Sequence, residues 1–282
     1  MLSERAASLR IISDPMSEPA PPAPAPPPRP GDSYVQSFAR GLTVIRSFSA
    51  AAPAQTLSEV AQRTGLTRAG ARRILLTLAQ LGYVESQGRQ FRLTPKILDL
   101  GFAYLSSLPL WNLAEPVMEA LAAEVRESCS VAVLDGTEIV YVLRVPTHKI
   151  MSINLGTGSR LPAFCTSMGR VLLAALPADE CRRRLEAAPR PRYTSRTLTD
   201  AQTLQRAVDE AREQRWCLVD QELEEGLVSL AAPIVDRSGR TIAALNISGQ
   251  ANRTPPAEMR ERFLPRLREA AADISRLLRM KS

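Results

Sequence analysis

The residues best suited to chemistry are arginines. Arg68, Arg72 and Arg73 follow Thr67 and stand around two small residues, Ala69 and Gly70. On a helix Ala69 and Arg73 share a face and Arg72 flanks them. A guanidinium keeps its charge and offers a fork of donors. Beside small residues, which permit close approach, it can grip phosphate or read guanine O6/N7. A second set is neutral. Asn246 and Ser248 lie two apart in an alternating run, hence on one face of a strand. They can hydrogen-bond an organic acid or a phenol, or serve as ordinary sheet residues with partners of their own. Catalytic parts are scarce. There is one histidine, His148, and the four cysteines (129, 165, 181, 217) form no C-x-x-C pair. Gly156-Thr-Gly158 lacks the third glycine of a dinucleotide loop, and neither G-x-S-x-G nor a Walker A motif occurs. Cys165 near a helix start would have only His148 as its base. No metal, cofactor or catalytic residue is expected, and the cysteines read as small buried thiols.

The elements that must hold the arginines follow from periodicity. Val35, Phe38, Leu42, Ile45 and Phe48 recur at helical steps, and Ala51-Ala-Pro53 ends that helix. Thr56-Leu-Ser-Glu59 is a capping box for a short helix to Arg63, and Gly65 suits its C-terminal cap. A four-residue turn leads to Thr67, which caps a helix from Arg68 to about Leu81, with Ala71, Ile74, Leu75, Leu78 and Leu81 as its core stripe. Leu76 points outward, with the following hairpin as its expected cover. That hairpin, Tyr83–Leu93, turns near Gly88 and Arg89. Two short helices, a turn and a hairpin make a winged helix-turn-helix, with Arg68 at the turn of the helix that reaches base edges and Arg89 beside the backbone. Thr94-Pro95 then starts a helix to Ser106 that can link two domains.

After Pro109 the pattern is mixed. Helices are expected at 112–126, 165–176, 177–187, 200–214 and 256–278. Strands are expected at 130–134, 138–145, 149–155, 217–221, 227–235 and 241–248. The strands within 130–145 and 217–248 are expected to share one antiparallel sheet with helices on its faces. A helix starting near Thr166 offers free N–H groups to a carboxylate. Arg144, His148 and Arg160 could add charge, and Met151 and Leu155 read as core. The fold class is therefore α+β.

Charge and composition narrow the partners. The 282 residues carry net charge +7, and residues 34–107 alone hold nine cations against three anions. A focused basic block favours a polyanion over a merely solvated face. Eight prolines within 19–30 mark a disordered arm over residues 1–33, and translation could begin at Met16. No run of 18 apolar residues and no signal-peptide core occur, so the chain reads as cytoplasmic with no membrane partner. An RNA-binding or architectural protein is the alternative for the basic block. The turn geometry and the attached second domain argue against it.

The runs Ser37-Phe-Ala-Arg-Gly-Leu-Thr-Val-Ile-Arg-Ser-Phe48, Leu57-Ser-Glu-Val-Ala-Gln-Arg-Thr-Gly-Leu-Thr-Arg68 and Leu81-Gly-Tyr-Val84 resemble the IclR family of bacterial transcriptional regulators. So do Leu161-Pro-Ala-Phe-Cys-Thr-Ser-Met-Gly-Arg170 and Ala243-Ala-Leu-Asn-Ile-Ser-Gly249. Leu105-Ser-Ser-Leu108 and Arg144-Val-Pro-Thr147 are similar to the subgroup governing protocatechuate and 4-hydroxybenzoate catabolism in the β-ketoadipate pathway. The resemblance implies a winged helix-turn-helix (34–94), a linker helix through which the chain dimerises (95–108), and a GAF-like α/β effector domain (109–282). It implies a homodimer or homotetramer on double-stranded operator DNA, with RNA polymerase as a further partner if the chain is an activator. The DNA-binding set is Arg40, Thr67, Arg68, Ala69, Arg72, Arg73 and Arg89. By motif match, a small aromatic or organic acid would meet Thr166, Ser167, Met168, Ser229, Asn246 and Ser248, with Asp220 and Glu222 near another family contact. Some members carry zinc, but the single histidine argues for none here. Regulation of another carbon-source pathway, or a cysteine-dependent enzyme fused to a nucleic-acid-binding module, are the alternative functions.

Overall fold

The computed structural model describes residues 34–106, 110–147 and 155–280. The proline-rich arm, His148 and Met151 lie outside them, as does nearly all of the strand expected at 149–155. The chain divides between Ile97 and Leu98 into two units, each with its own core.

In the first unit, α1 (Gln36–Arg46), β1 (Ala54–Thr56), α2 (Leu57–Thr64) and α3 (Arg68–Gln80) precede a hairpin of β2 (Val84–Gln87) and β3 (Gln90–Leu93). The capping box forms as the sequence dictates, with Thr56 accepting from the Glu59 N–H and Glu59 accepting from the Thr56 N–H. Gly65 takes the left-handed conformation (φ 67°), and the Leu66 N–H reaches the Ala61 carbonyl at 3.1 Å, closing α2. The turn to α3 has three residues, one fewer than expected. β1 is an element that the spacing did not announce. It pairs with β3, giving the order β1-β3-β2. Buried Gln55 ties it to the end of α1 by donating to the Ser47 carbonyl at 3.0 Å.

Val44, Phe48, Val60, Ala61, Ala71, Leu75, Leu78 and Val84 form this unit's core. Two apolar expectations fail. Leu81 is exposed rather than part of the α3 stripe, and Leu76 is left uncovered by the hairpin; Phe38 and Leu42 of α1 are exposed as well. The unit is too small to bury every apolar side of its helices.

The second unit begins with α4 (Leu98–Ser106), entered through a tighter turn at Pro95–Ile97, and α5 (Leu110–Val125). Then come β4 (Ser128–Asp135), β5 (Glu138–Val145), β6 (Arg160–Pro162), α6 (Ser167–Ala174), α7 (Ala178–Ala187), α8 (Ala201–Gln214), β7 (Cys217–Asp220), β8 (Leu227–Val235) and β9 (Thr241–Gln250). Short α9 (Pro256–Glu258) passes through a wide turn at Met259–Phe263 into α10 (Leu264–Met280). The strands form one antiparallel sheet in the order β6-β5-β4-β9-β8-β7. β6 was not expected from the sequence. Three residues give alternation too little length to register.

Alternation sorts the side chains. Val228, Leu230, Leu245 and Ile247 pack against α5 and α10, whereas Ala231, Ala244 and Val219 meet α6 and α8 on the other face. No helix among the described residues is long and apolar enough to cross a membrane.

All eight residues of α6 are buried. Its approach to the preceding loop is so close that a Cβ on Gly169 would lie 2.1 Å from the Ala163 carbonyl oxygen. Gly169→Ala is therefore expected to destabilise the second unit by about 1–3 kcal/mol, as overpacked cores do. Urea unfolding checks this, and an unchanged midpoint would show that the loop yields freely.

Candidate functional site

The first unit presents a basic face. Thr67 caps α3, its Oγ1 accepting from the Gly70 N–H at 3.1 Å. Burying Ala71, Leu75 and Leu78 turns Arg68, Ala69, Arg72 and Arg73 outward, and all four are exposed. Arg89 is exposed at the hairpin tip beside Gly88, and Arg40 is exposed on α1. Of the ion pairs among the described residues, the one in this unit joins Arg92 to Glu85. Arg40, Arg68, Arg72, Arg73 and Arg89 have no carboxylate partner there. Their donors stay available to phosphate or a base edge.

In the second unit a narrow cavity opens where α6 begins above the sheet. Seven of the eight residues matched to ligand contacts line it: Thr166, Ser167, Met168, Glu222, Ser229, Asn246 and Ser248. About 20 Å³ is free at its centre, room for about one water. The helix starts two residues later than expected. Thr166 caps it by accepting from the Gly169 N–H at 3.2 Å, which leaves the Ser167 and Met168 N–H groups, at the positive end of the helix, without an intrahelical acceptor. Ser167 and Ser229 bond to each other at 2.9 Å, tying α6 to β8.

Asn246 sits on β9 opposite Ser130 of β4, and Ser248 opposite Ser128 and Ser229, so a polar row crosses three strands on the cavity face. Asn246 is 3% exposed, and its Oδ1 is buried without a hydrogen-bond partner among the described residues. An orphaned acceptor of this kind costs about 1–3 kcal/mol unless something supplies a donor.

Asp220 corrects the sequence reading. Alternation along β7 sends Cys217 and Val219 toward α6, so Asp220 turns to the other side and pairs with Arg196. Gln221 then adopts a left-handed backbone (φ 60°), breaking the alternation and returning Glu222 to the cavity. Arg160 is also turned away, held at the surface by Glu138 and Asp135. Arg144 does stand on the cavity face, donating to Ser130 Oγ at 3.3 Å, but it is not among the lining residues.

Several features escaped the sequence reading. Tyr141, Leu161, Val219, Leu223 and Leu227 supply apolar wall. Arg170 matters most. It donates through Nη1 and Nη2 to the two Glu222 oxygens (2.7 and 2.6 Å) and through Nε to the Phe164 carbonyl at 2.9 Å. Both partners are nine-tenths buried. Burial works against the Arg170 charge, but Glu222's hydrogen bonds and charge outweigh it and raise its pKa. The same carboxylate accepts from the Leu198 N–H at 3.1 Å, so one ion pair joins α6, the β7–β8 loop and the 194–198 loop. The i to i+52 separation left no sequence signal. Cys165 also lines the cavity. Burial, helped by the Glu222 charge, pushes its thiol up to about 12, so it is protonated at neutral pH and a poor nucleophile.

Comparison with known proteins fits this geometry. The family described as the IclR helix-turn-helix domain matches residues 37–88, and that of the bacterial transcriptional regulator IclR C-terminal region matches 102–276. The chain is 42% identical over 280 residues to the Pca regulon regulatory protein of Pseudomonas putida, covering 94% of this chain and 96% of that protein. It is 34% identical over 252 residues to the p-hydroxybenzoate hydroxylase transcriptional activator of Acinetobacter baylyi (88% and 93%). Among solved structures, an IclR homologue from Microbacterium hydrocarbonoxydans complexed with 4-hydroxybenzoate superposes with TM-score 0.76 at 29% identity, covering 87% of this chain and all of that one.

The buried pair makes a direct energetic demand. Arg170→Met or Glu222→Gln alone is expected to cost about 3–5 kcal/mol, because each strands or unbalances a buried charge. The double change Arg170→Met/Glu222→Gln should cost less than the sum of the two singles. Chemical unfolding gives the cycle, and singles within 1 kcal/mol of the parent would show that the pair carries no such load.

Proposed function

The chain belongs to the IclR family of bacterial transcriptional regulators, and on that premise we propose that it governs the breakdown of aromatic acids. In this reading residues 34–94 hold operator DNA, 95–108 form the linker, and 109–282 sense a small hydroxylated aromatic acid, behind the arm 1–33. The observation that carries the effector reading is the buried Asn246 amide with its orphaned oxygen, in the same cavity as the free N–H groups of α6. A carboxylate suits those N–H groups. A ring hydroxyl supplies the donor that Asn246 lacks. Tyr141, Leu161, Val219 and Leu227 flank the space between them.

Among the described residues the lining holds no cation, and the one carboxylate there, Glu222, is already matched by Arg170. Recognition thus rests on N–H groups, hydroxyls and the amide. Because the free space holds about one water, a ring enters only if the walls part. Binding and a change in the cavity's shape are therefore linked, as ligand control of a second site requires. Regulation proceeds by binding, with no catalytic step, in the cytoplasm.

The working unit is a homodimer or a pair of dimers. Exposed Phe38, Leu42, Leu98 and Phe102 support it, since such apolar groups are commonly covered by another surface. RNA polymerase is the added partner where the chain activates. The DNA arginines contribute by charge and by base edge, set out on the family's winged helix.

Two measurements test this reading. Asn246→Ala should weaken binding of 4-hydroxybenzoate or protocatechuate roughly tenfold by calorimetry while leaving operator affinity intact, in line with one lost buried hydrogen bond. No heat with either acid in the parent chain would sink the effector class. Arg68→Ala and Arg72→Ala should each cost about 1–3 kcal/mol of operator binding in gel shifts if they read a base, and flatten the salt dependence if they hold phosphate. Unchanged affinity and salt slope for both would remove α3 as the reading helix.

A further inference from the structure

On the other face of the sheet, where α10 runs along β8, three arginines surround one shallow groove of about 210 Å³. Arg215 comes from the end of α8, held in a left-handed backbone (φ 61°), and Arg268 and Arg279 come from α10. All three are exposed, and none has a carboxylate partner among the described residues. Their neighbours on the same two helices behave differently. Arg212 pairs with Asp209, Arg266 with Glu124 and Glu269, and Arg276 with Asp273. Stabilisation of a helix C-terminus accounts for Arg215 and Arg279 but not for Arg268, which stands well before the end of α10.

The groove floor offers a ligand no neutral donor from the β8 edge. Pro233 has no N–H, and the Val235 N–H is already given to Ser275 Oγ at 3.0 Å. The floor is otherwise small and apolar, with Ala272 beside Pro233 and Val235. What remains is a patch of guanidinium forks around a short apolar base. That arrangement matches several carboxylates on a compact carbon skeleton, since each fork can take a carboxylate in a bidentate manner.

We propose that this groove binds a small di- or tricarboxylate, at a site separate from the cavity under α6. The site does not depend on the aromatic-acid reading. Its guanidinium groups face a different ligand on a different face of the sheet.

The test uses the full chain, with tricarballylate as probe, acetate and sulfate as controls at matched ionic strength, and calorimetry as readout. Tricarballylate is expected to bind at least tenfold more tightly than acetate. Arg268→Ala/Arg279→Ala should weaken it at least tenfold without changing the heat of 4-hydroxybenzoate binding or the far-ultraviolet spectrum. Equal binding by the variant, or equal responses to tricarballylate and sulfate, would overturn the site. A hexaglutamate peptide binding tenfold more tightly than tricarballylate, or a change of oligomeric state in the variant by light scattering, would overturn it too, by showing that the groove docks a protein. Loss of the 4-hydroxybenzoate signal alone would touch only the aromatic-acid reading.

Discussion

The cavity of the second unit keeps its shape through a guanidinium and a carboxylate buried together beneath α6. Arg170 and Glu222 are 52 positions apart, and two parallel charge-assisted bonds join them. Removing two charges from water is costly, and the bond to Phe164 and the Leu198 N–H satisfy further donors and acceptors of the pair. The result is a fixed relation between the start of α6 and the loop after β7. Those two segments carry Thr166, Ser167 and Met168 on one side and Glu222 on the other, so the cavity inherits its walls from the pair.

The sheet supplies the rest by the simplest rule of strand geometry. Side chains two apart share a face, and β8 and β9 follow the rule along most of their length. Their apolar partners look toward α5 and α10, while Ser229, Asn246 and Ser248 look toward α6. One wall therefore carries a dry core on one side and a polar cavity on the other. A slip of one residue in register would exchange the two, and pairing across six strands holds the register against that.

The two units use arginine in opposite ways. In the second unit most arginines with a carboxylate in reach are paired, and their charges are spent locally. In the first, the exposed arginines of α3 and the hairpin tip stand without such partners, so their field extends into solvent. Sequence composition placed the excess charge in this region, but charge alone does not tell a solvated face from a binding one. The absence of carboxylate partners among the described residues, together with small Ala69 at the centre of the face, favours contact with a polyanion.

The sequence by itself determined what is written in neighbouring residues. The Thr56 capping box, the Gly65 stop, the Thr67 cap and the outward turn of Arg68, Arg72 and Arg73 all rest on spacings of three or four, which a helix converts directly into geometry. Asn246 and Ser248 share a face because two residues separate equal sides of any strand. Three-residue β1 and β6 were illegible, since so short a run carries no period. Leu76 and Leu81 were misread because periodicity names an apolar residue without saying whether a small unit has anything to cover it. Alternation along β7 turns Asp220 away from the cavity, whereas Glu222 reaches it through a single left-handed residue at Gln221 that no pattern announces. Only the tertiary structure joined Arg170 to Glu222 and left the Asn246 oxygen without a partner among the described residues. Both facts depend on which distant groups meet, and that is decided by packing rather than by order along the chain.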